Sequence, residues 1–175
     1  MLNLIARFRR AKDGLAAIEF AMLAPVLVAL FLGSIELCDA LDCQQKVTGM
    51  AATAADLVAQ ETQVTNSDIS NVFSAVNSIV YPYSATGLKI VITSIVDNAG
   101  TAKVAWSSAQ NATPRVTGST IVLPAGVIST GGSVILAEVS YPYSSPVSDY
   151  ITGTINMSEI FYARPRRSTI INRTP

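Results

Sequence analysis

Histidine is absent from this chain of 175 residues, and charged side chains are scarce. Only 14% of the residues are charged, whereas an average globular domain has about 25%. Without histidine the chain lacks the most common general base and the most common metal ligand. The 12 basic and 12 acidic residues balance, and nothing in their order indicates the clustered basic face of a nucleic-acid-binding protein.

Catalytic motifs are missing as well. The sequence has no Ser-His-Asp set, no Cys-His pair and no glycine-rich loop of the kind that holds phosphate. Glu138 and Asp149 are the one carboxylate pair worth considering, and their spacing gives it no support. We therefore expect no enzyme, no cofactor and no small-molecule substrate.

The chain has only two cysteines, Cys38 and Cys43. Five residues apart on a predicted helix, they point about 140° away from each other, so a disulfide between them would require the helix to break. Two thiols without histidine also make a poor metal site. We expect free thiols and no metal, with a disulfide to a second molecule as the alternative.

The most prominent feature of the sequence is one long apolar run, Leu15–Leu37. As a helix it is about 34 Å long, enough to cross a hydrocarbon core of roughly 30 Å. The residues before the run are mainly basic, namely Arg7, Arg9, Arg10 and Lys12. The charged residues at its end and just after it are acidic, namely Glu36, Asp39 and Asp42. Basic residues on the N-terminal side favour a cytoplasmic N-terminus.

This pattern predicts four segments: a basic cytoplasmic leader (1–14), a transmembrane segment (15–37), an extracytoplasmic domain (38–165) and a C-terminal tail (166–175). A cleaved secretory signal is the alternative. It fits less well, because a signal-peptide core has roughly 7–15 apolar residues and the best cleavage site, Cys38-Asp39-Ala40, is weak.

Glu19 and Pro25 are unexpected inside a membrane span. A charge deep in a bilayer costs roughly 2.5–3.5 kcal/mol, so such residues are usually paired or functional. The simpler interpretation is that Glu19 lies near the cytoplasmic edge and reaches the headgroups. Its spacing favours a function, since Glu19 is the fifth residue after Gly14, where the basic leader meets the apolar run.

The string "GLAAIEFAMLAP" resembles the TadE-like family, pilin-like proteins of bacterial tight-adherence (Flp, type IVc) pilus systems. The matching positions are Gly14, Ala16, Ala17, Glu19, Phe20, Ala21 and Pro25. A second string, "YARPRRS" at 162–168, is similar to an ending found in such proteins.

The resemblance implies that a prepilin peptidase cuts between Gly14 and Leu15 on the cytoplasmic side. It also implies that Glu19 pairs with the N-terminal amine of a neighbouring subunit and, together with Phe20, sets the register of assembly. Glycine lacks a Cβ, which lets Gly14 lie extended in a protease cleft.

Two further features of the span bear on assembly. Pro25 cannot donate a helical hydrogen bond and weakens the helix around it, although proline is also tolerated in membrane helices. Ala17, Ala21 and Ala24 form a small-residue stripe that lets helices pack closely in lipid, although alanine is common in any helix.

Taken together, the resemblance implies a minor pilin or pseudopilin of the inner membrane that assists pilus assembly and adhesion. Its partners would be the inner membrane, the prepilin peptidase, other pilins or pseudopilins and the pilus assembly platform. The alternative is an uncleaved single-span envelope protein whose extracytoplasmic domain binds a ligand or anchors a complex.

Patterning predicts an α+β fold in which a long helix, from about Leu15 to Gln60, packs on an antiparallel sheet of about four strands. This arrangement is also pilin-like. The apolar face of the outer part of the helix is expected to contain Leu37, Leu41, Val47, Met50, Ala54, Leu57 and Val58. A second helix is predicted with Ser67 as its N-cap.

The predicted strands are Leu88–Asp97, Thr101–Ala109, Ser133–Tyr143 and Thr152–Pro165, with a turn at Asn98–Gly100. We expect a frayed C-terminus after Pro165, with Arg164, Arg166 and Arg167 solvated. Contact of these arginines with lipid headgroups or an acidic partner is the alternative. The string "YPYS" occurs at Tyr81–Ser84 and again at Tyr141–Ser144. Because its flanks differ, we interpret the repeat as coincident turn chemistry, with a shared surface or a duplicated unit as the alternative.

Overall fold

The computed structural model describes residues 14–145 and 153–174. The predicted basic leader, apart from Gly14, therefore lies outside the described residues, as does Asp149. Two helices and six strands occur in the described ranges. The chain divides into two units, Met1–Asp39 and Ala40–Pro175. The predicted α+β class, with a long N-terminal helix and a four-stranded antiparallel sheet, is confirmed.

Helix α1 spans Leu15–Ala59. In the first unit its large apolar side chains are exposed, among them Phe20, Leu27 and Phe31. Pro25 lies inside the helix, which continues through it. This helix is long and apolar enough to cross a membrane.

In the second unit one face of α1 is buried in the core. Its fully covered residues are Cys43, Val47, Met50, Ala51, Ala54, Ala55, Val58 and Ala59. They recur every three or four residues, as expected for one helical face. The predicted face is confirmed at Val47, Met50, Ala54 and Val58. Leu57 is partly buried against the core. The prediction was wrong at Leu37, which lies in the first unit, and at Leu41, since both side chains are exposed. In the first turn of the second unit Ala40 and Cys43 pack in the core instead.

Four long strands form the main sheet: β2 (Lys89–Asn98), β3 (Thr101–Gln110), β4 (Ser133–Tyr143) and β5 (Ile155–Ala163). Their order is β3-β2-β4-β5, and each neighbouring pair is antiparallel. Strands β2 and β3 form a hairpin whose central residues, Ala99 and Gly100, both have positive φ. This backbone matches the twist of the flanking strands, and the predicted turn is confirmed.

The two faces of the sheet are covered differently. Ile90, Ile92 and Val139 on one face belong to the core cluster that contains the helices. On the other face Ile95, Val134 and Leu136 form a smaller cluster. The connection between β3 and β4 covers that cluster with Ile121, Leu123, Val127 and Ile128.

Helix α2 spans Asn66–Ile79, and its N-cap is Thr65. The Asp68 backbone N–H donates to the Thr65 hydroxyl (3.2 Å), and the Thr65 backbone N–H donates to the Asp68 carboxylate (2.8 Å). This reciprocal pair satisfies two donors that the helix start would otherwise leave unpaired. The sequence-based choice of Ser67 was wrong, because the helix begins one residue before it.

The C-terminal segment is part of the fold. Strand β6 (Asn172–Arg173) pairs in parallel with β1 (Gln63–Val64). Ile171 is fully buried, and its carbonyl accepts a hydrogen bond of 2.8 Å from the Trp106 indole N–H. The expectation of a frayed C-terminus was therefore wrong for residues 171–173, because a single buried isoleucine and two paired residues fix this segment.

Candidate functional site

Gly14 lies at the start of α1, where its carbonyl accepts a hydrogen bond of 3.1 Å from the Ile18 N–H. A Cβ placed on Gly14 would have no atom within 4 Å. The fold therefore has room for a side chain at this position. No contact among the described residues requires a glycine at this position, whereas a protease that binds extended backbone would require one.

Glu19 is exposed on α1 between Ile18 and Phe20, which are 62% and 65% exposed. Among the described residues it has no hydrogen-bond or ion-pair partner. A carboxylate in this setting costs free energy in lipid unless a cation reaches it. The geometry of Glu19 is thus suited to pairing with a group on another molecule.

The alanine stripe lies on the same part of the helix. Ala17 and Ala21 are exposed and Ala24 is partly exposed, and their spacing of four and three residues places them on one side of α1. Pro25 follows directly. Within the described chain no other element covers this stripe, so its packing role stays a prediction.

A separate cleft of about 660 Å³ lies on the sheet face opposite the helices. Its floor includes Val91 and Ile160, and residues 112–116 form one wall. The Arg115 guanidinium donates two hydrogen bonds to the Glu138 carboxylate, of 3.0 and 2.6 Å. Such bidentate pairs are strong and directional, so the two charges offset each other at the edge of the cleft. Glu138 is thus a partner of Arg115, a contact that their separation along the sequence conceals.

The two cysteines lie in different environments. Cys38 is exposed and Cys43 is fully buried, and neither forms a disulfide within the described chain. Burial raises the pKa of the Cys43 thiol to about 11, with the nearby Asp42 charge adding to the effect and Lys46 opposing it. A thiol of this kind is unreactive. In the described ranges no group of three or more His, Cys, Asp or Glu side chains could hold a metal ion.

Two of the three arginines at 164–167 have partners among the described residues. Arg164 donates to the carbonyls of Val127 (3.2 Å) and Gly126 (2.7 Å). Arg166 forms an ion pair with Asp56, and its backbone N–H donates to the carbonyl of Ala59. Arg164, Arg166 and Arg167 are all exposed, as expected for a solvated cluster. The structure adds that Arg164 and Arg166 are also tied to the fold, because the chain end folds back against the end of α1.

The two "YPYS" strings meet in space. The rings of Tyr83 and Tyr143 pack edge to face, with centroids 6.0 Å apart. The Tyr141 hydroxyl donates to the Ser84 carbonyl at 2.9 Å. The first string forms a turn after α2 and the second ends strand β4. The interpretation as coincident turn chemistry was wrong, because Tyr141–Tyr143 is strand and the strings pack on each other.

Comparison with known proteins gives one family. Residues 14–56 match the family model described as TadE-like protein. No curated protein and no solved structure matches the chain. The match begins at Gly14 and includes Glu19, Phe20 and Pro25, so the resemblance identified from these residues is confirmed over this segment.

Proposed function

We propose that this chain, which is TadE-like over residues 14–56, is a minor pilin-like (pseudopilin) subunit of a bacterial Tad/Flp pilus. In this proposal a prepilin peptidase cuts after Gly14, the apolar part of α1 anchors the subunit in the inner membrane, and the second unit lies outside the cytoplasm. The subunit then assists pilus assembly and adhesion and has no catalytic role.

The proposal is carried by two features of the segment that matches the family model: its first residue and the exposed apolar helix that follows. The segment starts at Gly14, whose position leaves room for a side chain among the described residues. It continues into the first unit's part of α1, where large apolar side chains are exposed. Such surface is stable only in lipid or against other subunits. A pilin-like helix occupies these two environments in turn.

Glu19 supplies the register in this mechanism. Cleavage would leave an α-amine on Leu15, about one turn from Glu19 on the same helix. The amine of one subunit pairing with the carboxylate of the next would offset part of the desolvation of both charges. Because the attraction is strong in low dielectric, one stagger of neighbouring helices is favoured over others.

The first test is the N-terminal mass of the protein purified from its own host. We expect a chain that begins at Leu15, and a Gly14→Arg variant that keeps its leader. A wild-type chain that begins at Met1 would contradict processing. It would instead favour the uncleaved single-span protein, for which the cleft beside Arg115 and Glu138 is the candidate binding site.

The second test separates membrane insertion from assembly. Glu19→Ala should float with membranes but leave cells without pili and poorly adherent. Glu36→Ala, a second carboxylate on the same helix, is the matched control and should assemble. Normal pilus number and adhesion in Glu19→Ala would refute the register role.

A further inference from the structure

The turn at residues 81–84, which we call the tyrosine turn, lies at a defined end of the second unit. Strand β2 begins at Lys89, β4 ends at Tyr143 and β5 begins at Ile155, where it pairs with Tyr143. The opposite end of the sheet holds the Ala99–Gly100 hairpin. The tyrosine turn thus lies at the end of the sheet where β2 and β5 begin and β4 ends.

This is also the end at which the second unit starts along the chain. The Tyr83 hydroxyl donates to the Asp42 carboxylate at 3.2 Å, and Asp42 pairs with Lys46. The apolar run ends at Leu37, five residues before Asp42. Five residues of helix rise about 7.5 Å, and even fully extended they reach only about 18 Å.

A bilayer anchored by the apolar run would therefore lie close to the tyrosine turn. The headgroup layer is roughly 5–8 Å thick on each side of the hydrocarbon core. A residue in contact with Asp42 then lies within the headgroup layer or no more than about 13 Å above it. Chain length alone sets this limit, since no longer linker separates the run from Asp42.

The composition of the turn suits that depth. Tyr81 is 79% exposed, and Pro82 beside it is exposed as well. No residue from Tyr81 to Leu88 is charged, and the next residue, Lys89, is an exposed cation. Tyrosine is enriched at membrane interfaces because its ring is apolar and its hydroxyl is polar, and a nearby lysine attracts anionic lipid.

The turn is also held in place. The Tyr83 N–H donates to the Val80 carbonyl at 2.9 Å, and the Ser84 carbonyl accepts from the Tyr141 hydroxyl. A Cβ on Gly87, which has φ +86°, would lie 2.9 Å from Pro142 Cγ. This close approach fixes the turn against β4. A rigid turn loses little conformational entropy when its exposed ring enters another phase.

We infer that the tyrosine turn is a lipid contact, in which the Tyr81 ring enters the boundary between headgroups and acyl chains and Lys89 faces anionic headgroups. The inference rests on the membrane anchoring in the proposed function. It adds a second point of attachment, which holds the outer unit against the bilayer while the helix remains in it.

Tryptophan scanning of the full-length protein in vesicles tests this contact. The vesicles contain phosphatidylcholine and phosphatidylglycerol, with or without bromine on the acyl chains near the headgroup. Three variants carry an added tryptophan: Tyr81→Trp, Leu27→Trp in the apolar run, and Val122→Trp. Val122 is 93% exposed and follows residues that pair with Ala102 and Lys103 near the hairpin end. Trp106 is 7% exposed and gives the same background in every variant.

We expect brominated lipid to quench the added emission in Tyr81→Trp and Leu27→Trp, and to leave Val122→Trp unchanged. Emission from Tyr81→Trp should also shift to the blue when the protein passes from detergent micelles into vesicles that contain phosphatidylglycerol. Replacing Lys89 by Gln in that variant should reduce the shift.

The Leu27→Trp control separates the membrane anchor from the lipid contact of the tyrosine turn. Quenching in Leu27→Trp but not in Tyr81→Trp would overturn the lipid contact and leave the membrane anchor intact. No quenching in either would overturn both. A blue shift in Tyr81→Trp that ignores bromine would also refute the lipid contact, and would point to a second protein molecule at the turn.

Discussion

One helix, α1, has two regions whose side chains meet opposite conditions. In Leu15–Asp39 large apolar residues such as Leu23, Leu30 and Phe31 are exposed. In Ala40–Ala59 the buried face is rich in small residues, and Ala51, Ala54 and Ala55 are fully covered. Bulky side chains are outside in the first region, and small ones are inside in the second.

The difference shows that one helix can pack within its own chain in one region and present an uncovered apolar surface in the other. Small residues in the second region let the helix backbone approach its neighbours closely. This part of the helix is therefore buried by residues of its own chain. The first region has no such cover in the described chain, and its apolar surface would be costly in water. In the proposed function that cover is supplied by lipid or by neighbouring subunits.

The sharpest way to break this comparison uses two methionines on the same helix. Met50 is 0% exposed and Met22 is 75% exposed. Met50→Ala should lower the free energy of unfolding of the second unit by about 2–5 kcal/mol, because it leaves a cavity in the core. Met22→Ala should leave that free energy unchanged. Denaturant titration in detergent, followed by Trp106 fluorescence, measures both.

Equal losses in the two methionine variants would mean that the first region contributes to the packing of the second unit. In that case the contrast between an uncovered region and a completed one would not hold. A loss confined to Met50→Ala would support it.

Larger side chains at alanine positions of α1 test the same difference between its two regions. Ala54→Leu should destabilise the second unit by about 1–3 kcal/mol, because a close-packed core resists extra methylene groups. Ala29→Leu, at an exposed position of the first region, should have no effect on the same unfolding transition. A tolerant Ala54 position would show that the helix does not lie close against its neighbours.

The sequence predicted most of what depends on periodicity. Ile90 and Ile92 alternate along β2, and Val47, Met50 and Ala54 follow a helical period, so strands and helix could be assigned before their partners were known. The N-terminal motif could be recognised because its order and spacing are specific within a dozen residues.

What failed depends on contacts between distant residues. Nothing near Ile171 in the sequence indicates that Trp106 donates to its carbonyl, and nothing near Tyr81–Ser84 indicates Tyr141 as a partner. The pairing of Arg115 with Glu138 also joins separate elements. The N-cap was missed for a local reason, because Thr65 and Ser67 are both good caps and only Thr65 has an acid three residues later.

A smaller effect is expected where no packing is lost. Thr65→Ala removes the hydroxyl that caps α2 and should cost about 1 kcal/mol. Ser67→Ala, which changes the residue favoured by the sequence, is the matched control and should cost clearly less. Reversed costs would contradict the observed cap. These changes lie in the second unit only, so insertion into membranes should be the same for both.

The cap also predicts a dependence on pH. Hydrogen bonds from the Thr65 backbone N–H and hydroxyl lower the pKa of Asp68 below its usual value of 3.8. A carboxyl whose pKa is lower in the folded state stabilises the fold above its unfolded pKa and loses that contribution as the pH falls through the folded pKa. The stability difference between wild type and Asp68→Asn should therefore shrink below pH 4. A constant difference would contradict the bonding of the charged carboxylate.

The two cysteines test the same comparison with the smallest expected effect on stability. Cys38 lies next to the last residue of the first unit, and Cys43 is buried near the start of the second. In detergent, a maleimide should label Cys38 quickly and Cys43 only on unfolding, so Cys38→Ser should abolish fast labelling and Cys43→Ser should not.

Burial raises the pKa of Cys43 from 9.0 to about 11. The neutral thiol is therefore favoured in the folded state, which means that stability is intact below pH 9 and falls as the pH rises towards 11. This fall should persist in Cys38→Ala and be reduced in Cys43→Ala. Fast labelling of Cys43 would show that the second unit opens at the position where the two regions meet along the chain.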